Sequence, residues 1–294
     1  MGIPEDAIRR DYYIVKIMQN LQNSNFVDMC VFKGGTSLSK CYPGSINRFS
    51  EDIDLTFIPT NDMSNKQYDK ALKSAEDAIT HGFQIEKIKE ERSDRNKSSY
   101  IWPKFENRDN CQIKLEIGSL VRPDPFTKRQ MKTYIQEYLE LQEMNDIIME
   151  YDLKAVSINT LDITRTFLDK ILSVKRHAIC GTLEGKVRHI YDVTVLFERE
   201  HIQSFLNDFV ELKKLLSLTK ETDSFYLEKR NIEEKYNPTD LFRFENWKDR
   251  FDERIKNRYE KLHEDLLYTS EKQDFDKAIQ TFETISNIFS EIQE

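Results

Sequence analysis

The chain has 294 residues, enough for one large core or two modest domains, and its 38% hydrophobic and 33% charged content excludes low-complexity disorder over most of that length. A formal net charge of −8 speaks against a simple non-specific nucleic-acid binder, while leaving room for an enzyme with a local basic groove. The cysteines, Cys30, Cys41, Cys111 and Cys180, stand far apart without CxxC or any other metal-ligand spacing, so they read as buried or spare thiols in a reducing compartment.

The first thirty residues carry charges throughout, so no apolar signal-peptide core is expected, and no run approaches the length of a membrane span. The expected location is cytoplasmic. In chain order, residues 6–22 have the apolar spacing of a helix, and Phe26 to Phe32 read as a strand. That strand runs into Lys33-Gly34-Gly35-Thr36-Ser37, whose two glycines before a Thr/Ser pair predict a tight strand-to-helix turn. Pro43 and Gly44 mark a loop, followed by Ser50-Glu51-Asp52-Ile53-Asp54-Leu55-Thr56-Phe57-Ile58, a strand with period-two alternation. A helix is predicted over 65–81 and strands over 83–90, 98–105 and 111–117, with a turn at 91–97. After Pro123 and Pro125 the texture becomes helical, with helices expected at 131–148, 161–178, 189–198, 203–217, 245–267 and 271–290 and a short strand as an option at Lys154–Ser157.

Asp52 and Asp54 lie two apart in a strand and share one face, while Ile53 and Leu55 point to the core. Two carboxylates so placed repel unless a cation intervenes, and magnesium suits an all-oxygen donor set that also receives phosphates. Glu116 shares one face of its strand with Lys114, opposite Ile113, Leu115 and Ile117, and is a candidate third carboxylate. The competing reading of a bare Asp-x-Asp is a solvated strand edge. Backbone NH groups at Gly35, Thr36 and Ser37 are candidates for cradling phosphates at a helix start, against a plain turn with no ligand. The Walker GxxxxGK[ST] and the dinucleotide GxGxxG patterns are both absent, as are HExxH, GxSxG and the kinase HRD and DFG set.

The ordered set Phe32-Lys33-Gly34-Gly35-Thr36-Ser37-Leu38, Arg48-Phe49-Ser50-Glu51-Asp52-Ile53-Asp54-Leu55, Ile113-Lys114-Leu115-Glu116-Ile117, Arg165-Thr166-Phe167-Leu168-Asp169-Lys170 and Arg188-His189-Ile190-Tyr191-Asp192 resembles the AbiEii/AbiGii toxin family, within the DNA polymerase beta-like nucleotidyltransferase superfamily. The resemblance spans about residues 30–197; Asp169 stands where many relatives carry Glu. It implies an α+β fold, a nucleotidyltransferase-type mixed sheet with flanking helices followed by a mainly helical C-terminal region. The change of texture near 125 sets the expected division into a catalytic core over 1–125 and a helical domain over 126–294, which by the resemblance brings Lys170 and Asp192 to a cleft.

By the same resemblance the chain is an enzyme that transfers a nucleotidyl group from a nucleoside triphosphate with Mg2+. Asp52, Asp54 and Glu116 are then metal ligands. Lys170 and Asp192 complete the catalytic set. Gly34, Gly35, Thr36, Ser37, Lys170 and Arg188 bind nucleotide. The family suggests the toxin of a toxin–antitoxin or abortive-infection system with a cognate antitoxin, and an RNA acceptor such as the tRNA 3′ end. A small-molecule acceptor and an inactive nucleotide- or partner-binding module are the alternatives. Arg165, Lys170, Lys175, Arg176, Lys186 and Arg188 form a basic concentration that reads either as a phosphate groove or as the polar faces of two packed helices.

Overall fold

Among the described residues, seven strands hydrogen-bond into one mixed sheet: β1 (Cys30–Lys33), β2 (Ile53–Phe57), β3 (Phe83–Lys87), β4 (Asn96–Pro103), β5 (Ile113–Gly118), β6 (Phe126–Met131) and β7 (Val156–Leu161). The computed structural model describes residues 3–59, 62–230, 236–268 and 272–293, in two compact units. One comprises residues 1–43 and 49–161 and holds the whole sheet; the other comprises 44–48 and 162–294 and is helical.

The sheet order is β3-β4-β5-β2-β1-β7-β6. β1 pairs antiparallel with β2 and parallel with β7, and β2 pairs parallel with β5. The inner strands are apolar because both of their faces are covered: Cys30, Val31 and Phe32 are fully buried in β1, as are Val156 and Ile158 in β7. β5 keeps strict alternation, with Ile113, Leu115 and Ile117 buried and Lys114 and Glu116 half-buried between them. Around the sheet lie α1 (Glu5–Gln22), α2 (Gly34–Cys41), α3 (Asn65–Ile79), α4 (Arg108–Cys111), α5 (Tyr134–Leu141) and α6 (Asn145–Glu150). A capping box starts α3: the Gln67 NH donates to Ser64 Oγ, and the Ser64 NH donates to the Gln67 side chain.

The helical unit contains α7 (Ile163–Ile179), α8 (Val187–Phe197), α9 (Glu200–Asn207), α10 (Phe209–Arg230), α11 (Glu253–Glu260), α12 (Leu262–Asp265) and α13 (Phe275–Gln293). Asp162 caps α7 by accepting the Thr164 NH at 2.9 Å. Phe242, Phe244, Trp247 and Phe251 pack edge-on or tilted against Phe282 and Phe289 of α13, and form an aromatic core. Among the described residues no helix is long and apolar enough to cross a membrane.

The mixed α/β sheet followed by a mostly helical region matches the expected fold class. Individual elements differ in instructive ways. Phe26 to Met29 form a turn rather than the start of β1, closed by the Met29 NH on Phe26 O. β6 falls in the stretch after Pro125 expected to be helical, just ahead of the helix predicted over 131–148: its exposed Thr127 to Gln130 carry no apolar alternation, because an outermost strand has one neighbour and is charged. The change of texture at residue 125 thus lies within the first unit, since β6 and β7 extend the sheet beyond it. The predicted helix over 245–267 resolves into two 3-10 turns, α11 and α12. Phe244, Trp247 and Phe251 have helical spacing, yet Asp252 starts α11 afresh by capping the Arg254 and Ile255 NH groups. Asp208 likewise divides 203–217 into α9 and α10 and accepts the Glu211 NH.

Candidate functional site

The sheet unit brings together the glycine turn and two of the three carboxylates. β1 ends at Lys33, opposite Asp54 in the antiparallel register, and the next residue, Gly34, turns the chain into α2 with φ of +85°. The left-handed backbone favours glycine there, and a Cβ on Gly34 would lie 2.6 Å from Asp54 Oδ2, so any larger residue would also push that carboxylate aside. Ser37 Oγ donates to Gly34 O at 2.9 Å, and Thr36 Oγ1 donates to Ser50 Oγ at 3.0 Å, tying the start of α2 to the segment that leads into β2. Thr36 and Ser37 are buried as whole residues, and within the turn Gly34 and Gly35 are half-buried.

Asp54 and Glu116 are register partners on the parallel strands β2 and β5. Adjacent residues in register share a face about 4.8 Å apart, and both side chains are half-buried while Ile53, Leu55, Leu115 and Ile117 are fully buried. Asp52 lies one residue before β2 and is exposed. Lys114 stands near the same carboxylates. Burial works against its charge, but its 2.7 Å ion pair with Glu91 and the fields of Glu116 and Asp52 outweigh that and raise its pKa. The donors are all oxygen, the set a hard cation such as magnesium takes. Among the described residues no group of three or more His, Cys, Asp or Glu stands ready to hold a metal ion, so the site is a carboxylate pair with Asp52 beyond the strand end.

The helical unit contains a second polar cluster, and it is buried. Asp192 of α8 is fully buried and accepts two hydrogen bonds from Arg48, from Nε at 2.6 Å and from Nη2 at 2.7 Å. Lys170 of α7 meets the same carboxylate at 2.8 Å and is itself buried. Burial alone would raise the Asp192 pKa; Arg48 and Lys170 outweigh it and hold the carboxyl below its usual range. Lys170 is therefore held by Asp192 rather than presented as a free surface charge. Arg48 is the first residue of a family motif, yet the sequence assigns it no role. Its position directly before Phe49-Ser50-Glu51-Asp52 was the available signal, but nothing local in the sequence pairs it with a residue 144 positions later.

His189 places Nδ1 3.1 Å from Ser173 Oγ. Burial, then Lys170, Lys186 and Arg48, push its pKa well below the ordinary value, so it stays neutral and is poorly tuned as a base. Of the six clustered basic residues, Arg165, Lys170 and Lys175 are buried and Arg176 pairs with Asp223; Lys186 is half-buried and Arg188 alone is exposed. Burial and pairing thus withdraw most of the group from solvent.

The sequence profile described as "Nucleotidyl transferase AbiEii toxin, Type IV TA system" matches residues 16–281, which includes the glycine turn, Asp54, Glu116, Lys170 and Asp192. The chain belongs to the AbiEii family. Membership carries nucleotidyltransferase activity of the toxin type in general. Among solved structures, this AbiEii-family chain is similar to MenT4, a nucleotidyltransferase toxin from Mycobacterium tuberculosis H37Rv, with a TM-score of 0.50 and 16% identity over 98% of this chain and 93% of that one. It is also similar to JHP933 from Helicobacter pylori, with a TM-score of 0.45 and 16% identity over 99% and 95% of the two chains. At such identity the MenT4 likeness speaks for the fold alone. No curated protein sequence matches the chain.

Proposed function

We propose that this AbiEii-family chain transfers a nucleotidyl group from a nucleoside triphosphate to an RNA hydroxyl, such as the tRNA 3′ end, as the toxin of a toxin–antitoxin pair in the cytoplasm. The observation that carries the reading is the glycine turn pressed against Asp54, with Glu116 beside it in register. A strand that ends in two glycines and opens a helix points backbone NH groups outward, which suits phosphate oxygens. Placing carboxylates next to that turn is unfavourable for an anionic ligand unless a cation joins them, so the pairing itself argues for metal-assisted phosphate chemistry.

In this mechanism Gly35, Thr36 and Ser37 receive the phosphates through their NH groups. Asp54 and Glu116, with Asp52 at the strand entrance, would hold magnesium. When bound, the ion supplies neutralisation of the developing phosphate charge. Glu116 takes the acceptor hydroxyl proton as that oxygen bonds to the α-phosphorus. The bond from the α-phosphorus to the bridging oxygen breaks, and pyrophosphate leaves. Within the helical unit Asp192 and Arg48 fix the position of Lys170, which the family motif assigns to nucleotide binding together with Arg188.

The test is transfer from each α-labelled triphosphate in the presence of magnesium and total tRNA. Label should enter RNA with one preferred base. Asp54→Asn should retain the melting temperature and lose transfer by about 100-fold or more, roughly 3 kcal/mol of transition-state stabilisation. Near-parental transfer by Asp54→Asn under saturating magnesium would show that the carboxylate pair is not the catalytic site. Label confined to a small acceptor would reassign the substrate.

A further inference from the structure

The sheet unit carries an apolar surface that the proposed chemistry does not use. Among the described residues, six of the eleven exposed large apolar side chains, Tyr138, Leu141, Met144, Ile147, Met149 and Tyr151, fall between positions 138 and 151. They lie on the hairpin of α5 and α6 that is inserted between the paired strands β6 and β7. The hairpin is a folded element. Leu139 and Leu153 are buried beneath it, Glu143 turns the chain with φ of 57°, and the Met144 and Leu153 NH groups donate to Leu139 O and Ile148 O. Its apolar exposure is therefore a property of a defined surface. Clusters of this kind on an otherwise charged protein mark interaction sites.

The charge around this surface restricts what can cover it. Between Lys132 and Lys154 the chain has no basic residue and six acidic ones, Glu137, Glu140, Glu143, Asp146, Glu150 and Asp152. Glu140 pairs with Lys132, Asp152 with Lys154, and Glu137 faces Lys40. Glu143, Asp146 and Glu150 are exposed and make no ion pair among the described residues. Such a field repels nucleic acid and the anionic face of a membrane. It also opposes a second copy, because a two-fold interface would set these carboxylates against themselves. A basic segment of another protein meets both features: apolar side chains for the exposed Leu, Ile and Met, and lysines or arginines for the acidic rim.

We propose that the α5–α6 hairpin is a docking surface for a lysine- or arginine-rich amphipathic helix of a partner protein. Docking there leaves the carboxylate pair of β2 and β5 untouched, so the partner is held without occupying the nucleotide site.

The test uses the full chain and a fluorescent peptide of about 18 residues with leucines at helical i, i+3, i+4, i+7 spacing and lysines elsewhere. A second peptide has glutamate in place of every lysine. The lysine peptide should bind with an affinity on the order of 10 µM, and the glutamate peptide should not bind. Leu141→Ser with Met149→Ser should weaken binding about tenfold or more with an unchanged melting temperature. Glu143→Gln, Asp146→Asn and Glu150→Gln together should weaken it several-fold and flatten its salt dependence. Hydrogen exchange should slow within 138–151 on binding. The proposal is overturned if the lysine peptide fails to bind, if the serine variant binds it equally, or if protection falls elsewhere. Sedimentation showing self-association that Leu141→Ser abolishes would also overturn it, in favour of a second copy.

Discussion

Gly34→Ala separates the backbone requirement of the glycine turn from its role beside Asp54, because the fold supplies its own control. Gly34 and Gly82 both lie in the sheet unit at nearly the same left-handed backbone angle, φ of +85° and +87°. An alanine at either position meets the same penalty, about 1–2 kcal/mol for a left-handed non-glycine residue. That corresponds to a fall of roughly 2–4 °C in melting temperature per kcal/mol for a unit of this size. At Gly82 an added Cβ meets nothing within 4 Å, whereas at Gly34 it meets Asp54 Oδ2 at 2.6 Å. The end of a flexible carboxylate gives way cheaply, so Gly34→Ala should be only slightly less stable than Gly82→Ala. Relief to the 3.4 Å at which ordinary contact begins nevertheless moves the carboxylate by close to 1 Å. A displacement of about 1 Å in a reacting group can lower rate 100-fold. Thermal melts of the two variants should therefore nearly coincide, while labelled-triphosphate transfer falls about 100-fold for Gly34→Ala and stays near parental for Gly82→Ala. Equal transfer by the two variants would refute the claim that the placement of Asp54 against the turn is catalytic.

The remaining predictions concern the helical unit. Asp192→Asn leaves Arg48 and Lys170 buried without their shared anion and should cost about 3–5 kcal/mol in urea melts; Lys170→Met, which leaves the two Arg48 bonds to Asp192 in place, should cost less. Lys170→Met should still weaken binding of a non-hydrolysable triphosphate in calorimetric titration, and unchanged affinity would confine Lys170 to a packing role. Because the folded pKa of Asp192 is depressed, its stabilisation is present above the unfolded value and is lost as pH falls through the folded one. The stability gap between the parent and Asp192→Asn should therefore close in acid, below about pH 4. Lys175 is buried, donating to Asp240 O and Leu241 O, and burial lowers its pKa to about 8. Between that value and the unfolded value of about 10.4 the unfolded chain holds the extra proton. Parental stability should therefore rise relative to Lys175→Met from pH 8 to 10, as read by urea melts at each pH.

Most of the sheet was legible because its signal is local. The alternation of Ile113, Leu115 and Ile117 fixes the parity of Glu116, and Ile53 and Leu55 do the same for Asp54. The strand-to-helix turn at Gly34 followed from residue type alone, since two glycines before Thr and Ser have few other uses between an apolar strand and a helix. β6 was not legible, because an edge strand lined with Lys128 and Arg129 has no period to read. Trp247 and Phe251 misled for the opposite reason: three-and-four spacing suits a helix, and here it serves an aromatic core reached through 3-10 turns.

By itself, then, the sequence determined the residue types and their parity: the carboxylates, the glycines, the helical run after the sheet and the ordered motifs that mark the family. Tertiary structure alone decided which of them meet. Strand register set Asp54 beside Glu116 and left Asp52 exposed at the strand entrance. Helix packing put Lys170, Arg165 and Lys175 inside, where the local basic concentration had left a phosphate groove and the polar faces of packed helices both open. It also closed Arg48 onto Asp192 across 144 residues of chain. Parity and propensity act over one turn or one strand, whereas charge pairing and burial depend on distances set by the packed elements, and no local pattern encodes those distances.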